Sequence, residues 1–332
     1  MFGLKLNIEP EETEVITFQK NKPIIQTGYL ERLPKELQKI VQEIRDKSKD
    51  KKCPKLKGDA SGAFGTIEIT KDLVKKVLTL IQSKHENILL RDYKVLKKKS
   101  QLYFLINRLN NYCKDIKLFV NNVRKIFPNN FLRIYKCNLC EGTLKYDTPN
   151  VYVEMALGKG KTLKEVLKNK SISKKELESV FIQIYYISMT LNMKKLYHND
   201  LKPANIIIAK SDHQIIYDGL KSNGKCIKMR LPKGSYYPVI VDYDLVSKKH
   251  SETVEPPSGS FISPGSPDFS FFAATTEKID NKQEKILESF PTFDTSDKIK
   301  KSITEIHNTI KKYNKVLTIK YTCQKKKRKS KK

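Results

Sequence analysis

The feature that most restricts how this chain can fold is a polar run trapped between two apolar ones. Residues 174–196 read as a helix with apolar side chains around much of its circumference, among them Val180, Phe181, Ile184, Ile187, Met189 and Leu191. A helix of that kind is buried. Residues 206–209 (Ile-Ile-Ile-Ala) read as a core strand. Between them lies Tyr197-His198-Asn199-Asp200-Leu201-Lys202-Pro203-Ala204-Asn205. A chain that leaves one core element and at once begins another cannot send this loop far. Lys202, two residues after Asp200, can point at the same place as that carboxylate. With 39% hydrophobic and 30% charged residues in 332, there is enough apolar material for one large domain or two modest ones, which excludes a wholly disordered chain.

The other elements fall around this one. Leu37, Ile40, Val41 and Ile44 stand at helical spacing, so residues 34–49 form an amphipathic helix with Pro34 in its first turn. Residues 1–33 read as short extended pieces. A glycine-rich stretch, Gly58-Asp-Ala-Ser-Gly62-Ala-Phe-Gly65, precedes strand-like runs at 66–70 and 73–78. Residues 84–127 carry helical periodicity. Strands follow at 131–137 and 151–155, with Cys137 and Cys140 in the connection between them. After residue 209 come a polar hairpin-like insert and a strand at 238–241. The Ser-, Pro- and Gly-rich residues 251–267 read as a mobile loop, and helices follow around 268–290 and 296–313. No internal repeat is visible. Strands dominate the first half and helices the second, an α+β chain in two lobes.

The polar loop carries chemistry. Asp200 can take the proton of a hydroxyl, Lys202 can offset charge on a transferred group, and the Asn205 amide oxygen is a hard ligand for Mg²⁺. Read as a string, His198-Asn199-Asp200-Leu201-Lys202-Pro203-Ala204-Asn205 resembles the catalytic loop of protein kinases, and its Lys-Pro is the Ser/Thr form. A second string, Val239-Ile-Val-Asp242-Tyr243-Asp244-Leu245, resembles the family's metal-binding turn, with Tyr243 for Phe and Asp244 for Gly. Asp244 is either a spare ligand or an Asx turn. A third, Ala60-Ser61-Gly62-Ala63-Phe64-Gly65-Thr66-Ile67, resembles the glycine-rich loop over the ATP phosphates, with Ala60 for the first Gly. The lysine that follows is Lys75 or Lys76. Lys76 keeps the alternation Val74/Lys76/Leu78, whereas Lys75 suits family members with paired lysines. Its acid partner would be Asp92, Glu86 or Asp115. Val153-Glu154-Met155-Ala156 is either the hinge, with Glu154 and Ala156 binding adenine through their backbone, or plain core strand. Asp268 either caps its own helix or takes the place of the Asp that opens the family's central helix.

The resemblance covers about residues 55–290. It implies an N-terminal extension (1–54), a β-sheet lobe with a helical insert (55–157), a shortened helical lobe (158–319) and a basic tail (320–332). It also implies ATP and Mg²⁺ (or Mn²⁺) as cofactors, with catalytic Asp200 and Lys202 and metal ligands Asn205 and Asp242. The nucleotide would meet Ala60, Gly62, Phe64, Gly65, Ile67, Lys75, Lys76, Glu154 and Ala156. Partners would be protein Ser/Thr substrates, the chain itself included. Several departures stand out. Asn199 replaces the Arg that reads a phosphorylated activation loop, no A-P-E string follows Asp242, and an insert of about 211–236 intervenes. This diverged form is similar to kinases of large nucleocytoplasmic DNA viruses, which places it in host cytoplasm and in virions.

Charge and cysteines add expectations of their own. The net charge is +29, and the last thirteen residues hold eight positive charges and no negative one. That allows contact with DNA or RNA and nuclear import. Lysine makes up 57 of the 65 basic residues, the composition of a solvated surface more than of a base-edge reader. No apolar run is long enough to span a membrane, and the start lacks a signal peptide's pattern, so a cytosolic chain with six free thiols is expected.

Overall fold

The computed structural model describes residues 35–322 apart from 50, 58–59, 63–64, 79–95, 142–149, 223, 244–245, 247–267, 278, 281–282, 294 and 315–316. The expected extended pieces at 1–33, the loop at 251–267, Phe64, Glu86, Asp92 and Asp244 lie outside them.

The amphipathic helix forms as α1 (Lys35–Ser48), with Ile44 buried. Next comes a five-stranded antiparallel sheet. Its strands are β1 (Ala60–Gly62), β2 (Gly65–Ile69), β3 (Leu73–Leu78), β4 (Ile134–Cys140) and β5 (Asn150–Ala156), in the order β1-β2-β3-β5-β4. Helix α2 (Leu96–Ile126) is inserted between β3 and β4 and packs with α1 on β4.

The second half is built on α4 (Lys174–Met193), whose residues 177–192 are all buried. It begins with a capping box between Ser173 and Glu176, and the short α3 (Leu163–Asn169) has the same device in Thr162 and Glu165. Each box satisfies backbone N–H groups that the first turn would otherwise leave bare. A three-stranded sheet sets β7 (Ile206–Lys210) between β6 (Lys161–Thr162) and β10 (Tyr236–Ile240). The expected insert is a hairpin, β8 (Ile215–Ser222) and β9 (Lys225–Leu231), and β9 is joined on its far edge by β11 (Thr318–Thr322). The first residues of the basic tail are therefore sheet, with Lys320 opposite Lys228. Helices α5 (Asp268–Glu277), α6 (Glu284–Glu288), α7 (Ser296–Lys301) and α8 (Ile303–Tyr313) complete this half. An aromatic cluster joins α4 to the helices after it, with the Tyr185 ring 4.9 Å from Phe269 and 4.8 Å from Phe290. The chain is thus mixed α and β with antiparallel sheets. None of its described helices is long and apolar enough to cross a membrane.

The cysteines overturn one expectation. Cys137 and Cys140 lie within β4, not in a connection, and among the described residues no cysteine is free. Cys113 of α2 is bonded to Cys137, and Cys53 is bonded to Cys140. Residues three apart on a strand face opposite ways, so this CxxC cannot close on itself or grip one metal between its sulfurs. Each sulfur meets a different neighbour instead. Fully buried Cys226 is bonded as well. Cross-links of this kind persist in oxidising surroundings. By loop-closure entropy each of the two described bridges adds roughly 3–5 kcal/mol. Chain unfolded without reductant should show none of these four cysteines reactive to a thiol reagent, and reduction should lower the melting temperature by about 10 °C or more. Immediate titration of four thiols would contradict the pairing.

Candidate active site

The loop after α4 is shaped by its own sequence. Pro203 opens a single 3₁₀ turn, Pro203–Asn205, and its fixed φ favours that turn. The turn swings Asn205 back onto Asp200. Asn205 Nδ2 donates to the Asp200 carbonyl at 2.9 Å and to Asp200 Oδ2 at 2.8 Å. Lys202 Nζ lies 3.0 and 2.8 Å from the two Asp200 oxygens. The three residues singled out in the sequence are therefore one hydrogen-bonded unit. The Asp200 side chain keeps 17% of its surface open and Lys202 39%, so both remain within reach of a ligand.

This loop is held from two sides. Asp268, the first residue of α5 and only 3% exposed, accepts the backbone N–H of His198 at 2.9 Å and that of Asn199 at 2.8 Å. Both Asp268 oxygens therefore serve the loop. Asn199 has a φ of 61°, a conformation that a side chain makes costly and that the clamp stabilises. From the other side comes the segment after β10. Val241 N–H donates to the Asn205 carbonyl at 3.0 Å, and fully buried His198 bonds through Nε2 to the Val241 carbonyl at 3.0 Å. A carbonyl only accepts, so Nε2 carries the proton.

Asp242 follows directly, at a φ of 65°. Its Oδ1 lies 2.9 Å from Lys76 Nζ. The alternation of β3 turns Lys75 the other way, to Glu68 at 3.0 Å. The Lys57 amide and Lys75 hold the Glu68 carboxyl below its ordinary range. Of the two lysines, the geometry brings Lys76 to the loop. Asp115, on α2, is exposed to solvent.

Tyr243 fills the position after Asp242 and is 1% exposed. Its ring centre is about 6 Å from those of Phe119 on α2, Phe131 and His198. Burial pushes its phenol well above the ordinary value, so it keeps its proton and can donate. Phe119 was missed in the sequence, where it is one apolar residue among many on a long helix.

Strands β1 and β2 pair with Gly62 opposite Gly65 and Ala60 opposite Ile67, and Ile67 stands opposite Lys76. The hinge residues fit less well. Glu154 lies on the Lys75 face of the sheet, where its carboxylate accepts the Tyr152 hydroxyl at 3.0 Å, and burial together with that bond raises the Tyr152 pKa to about 12. The Ala156 N–H, which the resemblance gives to adenine, is donated to the Arg133 carbonyl at 2.8 Å. Glu154 and Ala156 are both part of β5.

Hard oxygen donors suit a magnesium ion here. Asn205 uses its amide nitrogen on Asp200, which leaves its amide oxygen for a cation, and the Asp242 carboxylate beside Lys76 is a second hard donor. Among the described residues no group of three or more His, Cys, Asp or Glu converges on one point. Two protein ligands, with phosphate oxygens and waters completing the shell, is the arrangement that Mg²⁺ takes at phosphate sites.

No family model matches this chain. Over 117 residues, 35% of the chain, it is 26% identical to a probable serine/threonine-protein kinase of Dictyostelium discoideum. That stretch spans only 16% of the other protein's length. The similarity is weak and partial, and it points to the same kind of protein as the loop does, a kinase-like one.

Proposed function

We propose that the chain is a protein serine/threonine kinase that uses ATP with Mg²⁺ or Mn²⁺. The observation that carries this reading is the joining of two pairs. The Asp200–Lys202 pair and the Asp242–Lys76 pair are fixed to each other through the Val241–Asn205 backbone bond. On this reading the five-stranded sheet and the α4-centred half are the two lobes, and the nucleotide lies between them. Asp200 orients the substrate hydroxyl and takes its proton as the oxygen attacks the γ-phosphorus and the bond from that phosphorus to ADP breaks, with ADP as the leaving group. Lys202 turns from Asp200 to the transferred phosphoryl and steadies its charge. Lys76 holds the other phosphates under the Gly62–Gly65 hairpin. Asn205 and Asp242 hold the metal, which when bound neutralises the phosphate oxygens. The Lys-Pro after Asp200 supports Ser/Thr substrates, the chain itself included, and the loop from His198 to Asn205, the Asp242-Tyr243-Asp244 turn and the missing A-P-E string support the finer placement with compact kinases of large DNA viruses.

A second reading, a nucleotide-binding protein with little transfer, is motivated by the carboxylate of Asp244 standing in the place of the turn's glycine. Labelled ATP with Mg²⁺, casein, a basic protein and the chain alone separate the two. Label should appear on Ser or Thr and fall about 10²–10⁴-fold in Asp200→Asn, the usual worth of a positioned base. Nucleotide binding without any transfer would establish the second reading, and neither binding nor transfer would overturn both.

The lysines give an independent check. Lys76→Met should lower transfer roughly 10²-fold or more, as losing a charge on the phosphates does, whereas Lys75→Met should stay within about threefold. The opposite ranking would mean that the strand presents the wrong face to the nucleotide.

A further inference from the structure

Tyr243 stands where the family resemblance has a phenylalanine, and its ring alone would fill the space between Phe119, Phe131 and His198. The hydroxyl does something more. It donates to the Ile240 carbonyl at 2.7 Å and accepts the Leu132 N–H, also at 2.7 Å. Leu132 belongs to the segment that leads into β4. That segment is tied to β10 a second time, by Ile240 N–H donating to the Asn130 carbonyl at 2.8 Å. Asp242 therefore sits between two anchored neighbours. Val241 is bonded on its N-terminal side to Asn205 and His198, and Tyr243 is bonded on its C-terminal side to Ile240 and Leu132. Its φ of 65° is unfavourable for a residue with a side chain and persists only while both neighbours are held.

We propose that the Tyr243 hydroxyl is a positioning group, locking the turn so that Asp242 already faces Lys76 and the metal site before any ligand arrives. This rests on the kinase reading for what Asp242 binds, but the lock itself does not. A phenylalanine would keep the packing and leave the Leu132 N–H without its acceptor, freeing the C-terminal side of the turn. The chain then needs no phosphorylated loop to set its metal ligand, which agrees with Asn199 occupying the position of the loop-reading arginine.

The test uses the full chain with Mn²⁺ as probe and a non-hydrolysable ATP analogue, following free Mn²⁺ by electron paramagnetic resonance. Tyr243→Phe should raise the Mn²⁺ dissociation constant about tenfold, the worth of one well-made hydrogen bond lost. Tyr185→Phe is the control. Its hydroxyl, in the distant aromatic cluster, donates to the Pro291 carbonyl at 2.9 Å, so its loss should lower stability and leave Mn²⁺ binding unchanged. Equal Mn²⁺ affinity in Tyr243→Phe and the unaltered chain would overturn the lock, as would an equal loss in both variants. Absence of Mn²⁺ binding in the unaltered chain would overturn the kinase reading, and the metal-positioning role with it. Amide exchange at Leu132 in the unaltered chain needs neither a ligand nor a folded variant. Strong protection is expected, and exchange at the rate of an open loop would show that the hydroxyl bond is not there.

Discussion

Everything proposed for this chain depends on one buried carboxylate. Asp268 reaches from the start of α5 to two consecutive amides seventy and sixty-nine residues earlier, at His198 and Asn199. A buried carboxylate needs donors, and two adjacent backbone N–H groups need an acceptor, so each satisfies the other's requirement. With Asn199 held in its left-handed conformation, the chain turns sharply and delivers Asp200 to the surface, while His198 stays buried against Val241. From there the Asn205 amide and the Val241 backbone pass the positioning on to Asp242 and, through it, to Lys76 on the sheet. The charged groups are placed by backbone bonds more than by each other. That is economical, because exposed ion pairs contribute little alone.

Much of this was legible in the sequence because it is local. The loop from His198 to Asn205 packs five informative residues into eight positions, and its flanking elements follow from apolar periodicity. The choice of Lys76 over Lys75 rests on strand alternation, and the register Ile67 opposite Lys76 places it accordingly. The insert was visible as a gap filled by alternating residues, and β8–β9 is the hairpin that results.

What was not legible is what depends on distance. Cys53 and Cys140 are 87 residues apart, and pairing of that kind leaves no periodic signal. The spacing of Cys137 and Cys140 gives no sign that the two face opposite sides of one strand and meet different partners. Nor does the string around Ala156 show that the fold brings the Arg133 carbonyl to its amide. Tyr243 was read as a stand-in for an aromatic ring, since nothing in the string Asp-Tyr-Asp shows that Leu132, 111 residues away, lends the hydroxyl a donor.

The central claim is that Asp242, Asn205 and Lys76 form a site for a metal-bound nucleotide. Calorimetric titration of the chain with ATP, with and without Mg²⁺, tests it most directly. The account predicts binding that Mg²⁺ tightens at least tenfold and that Asp242→Ala renders indifferent to Mg²⁺. Binding that ignores both Mg²⁺ and the loss of Asp242 would contradict it.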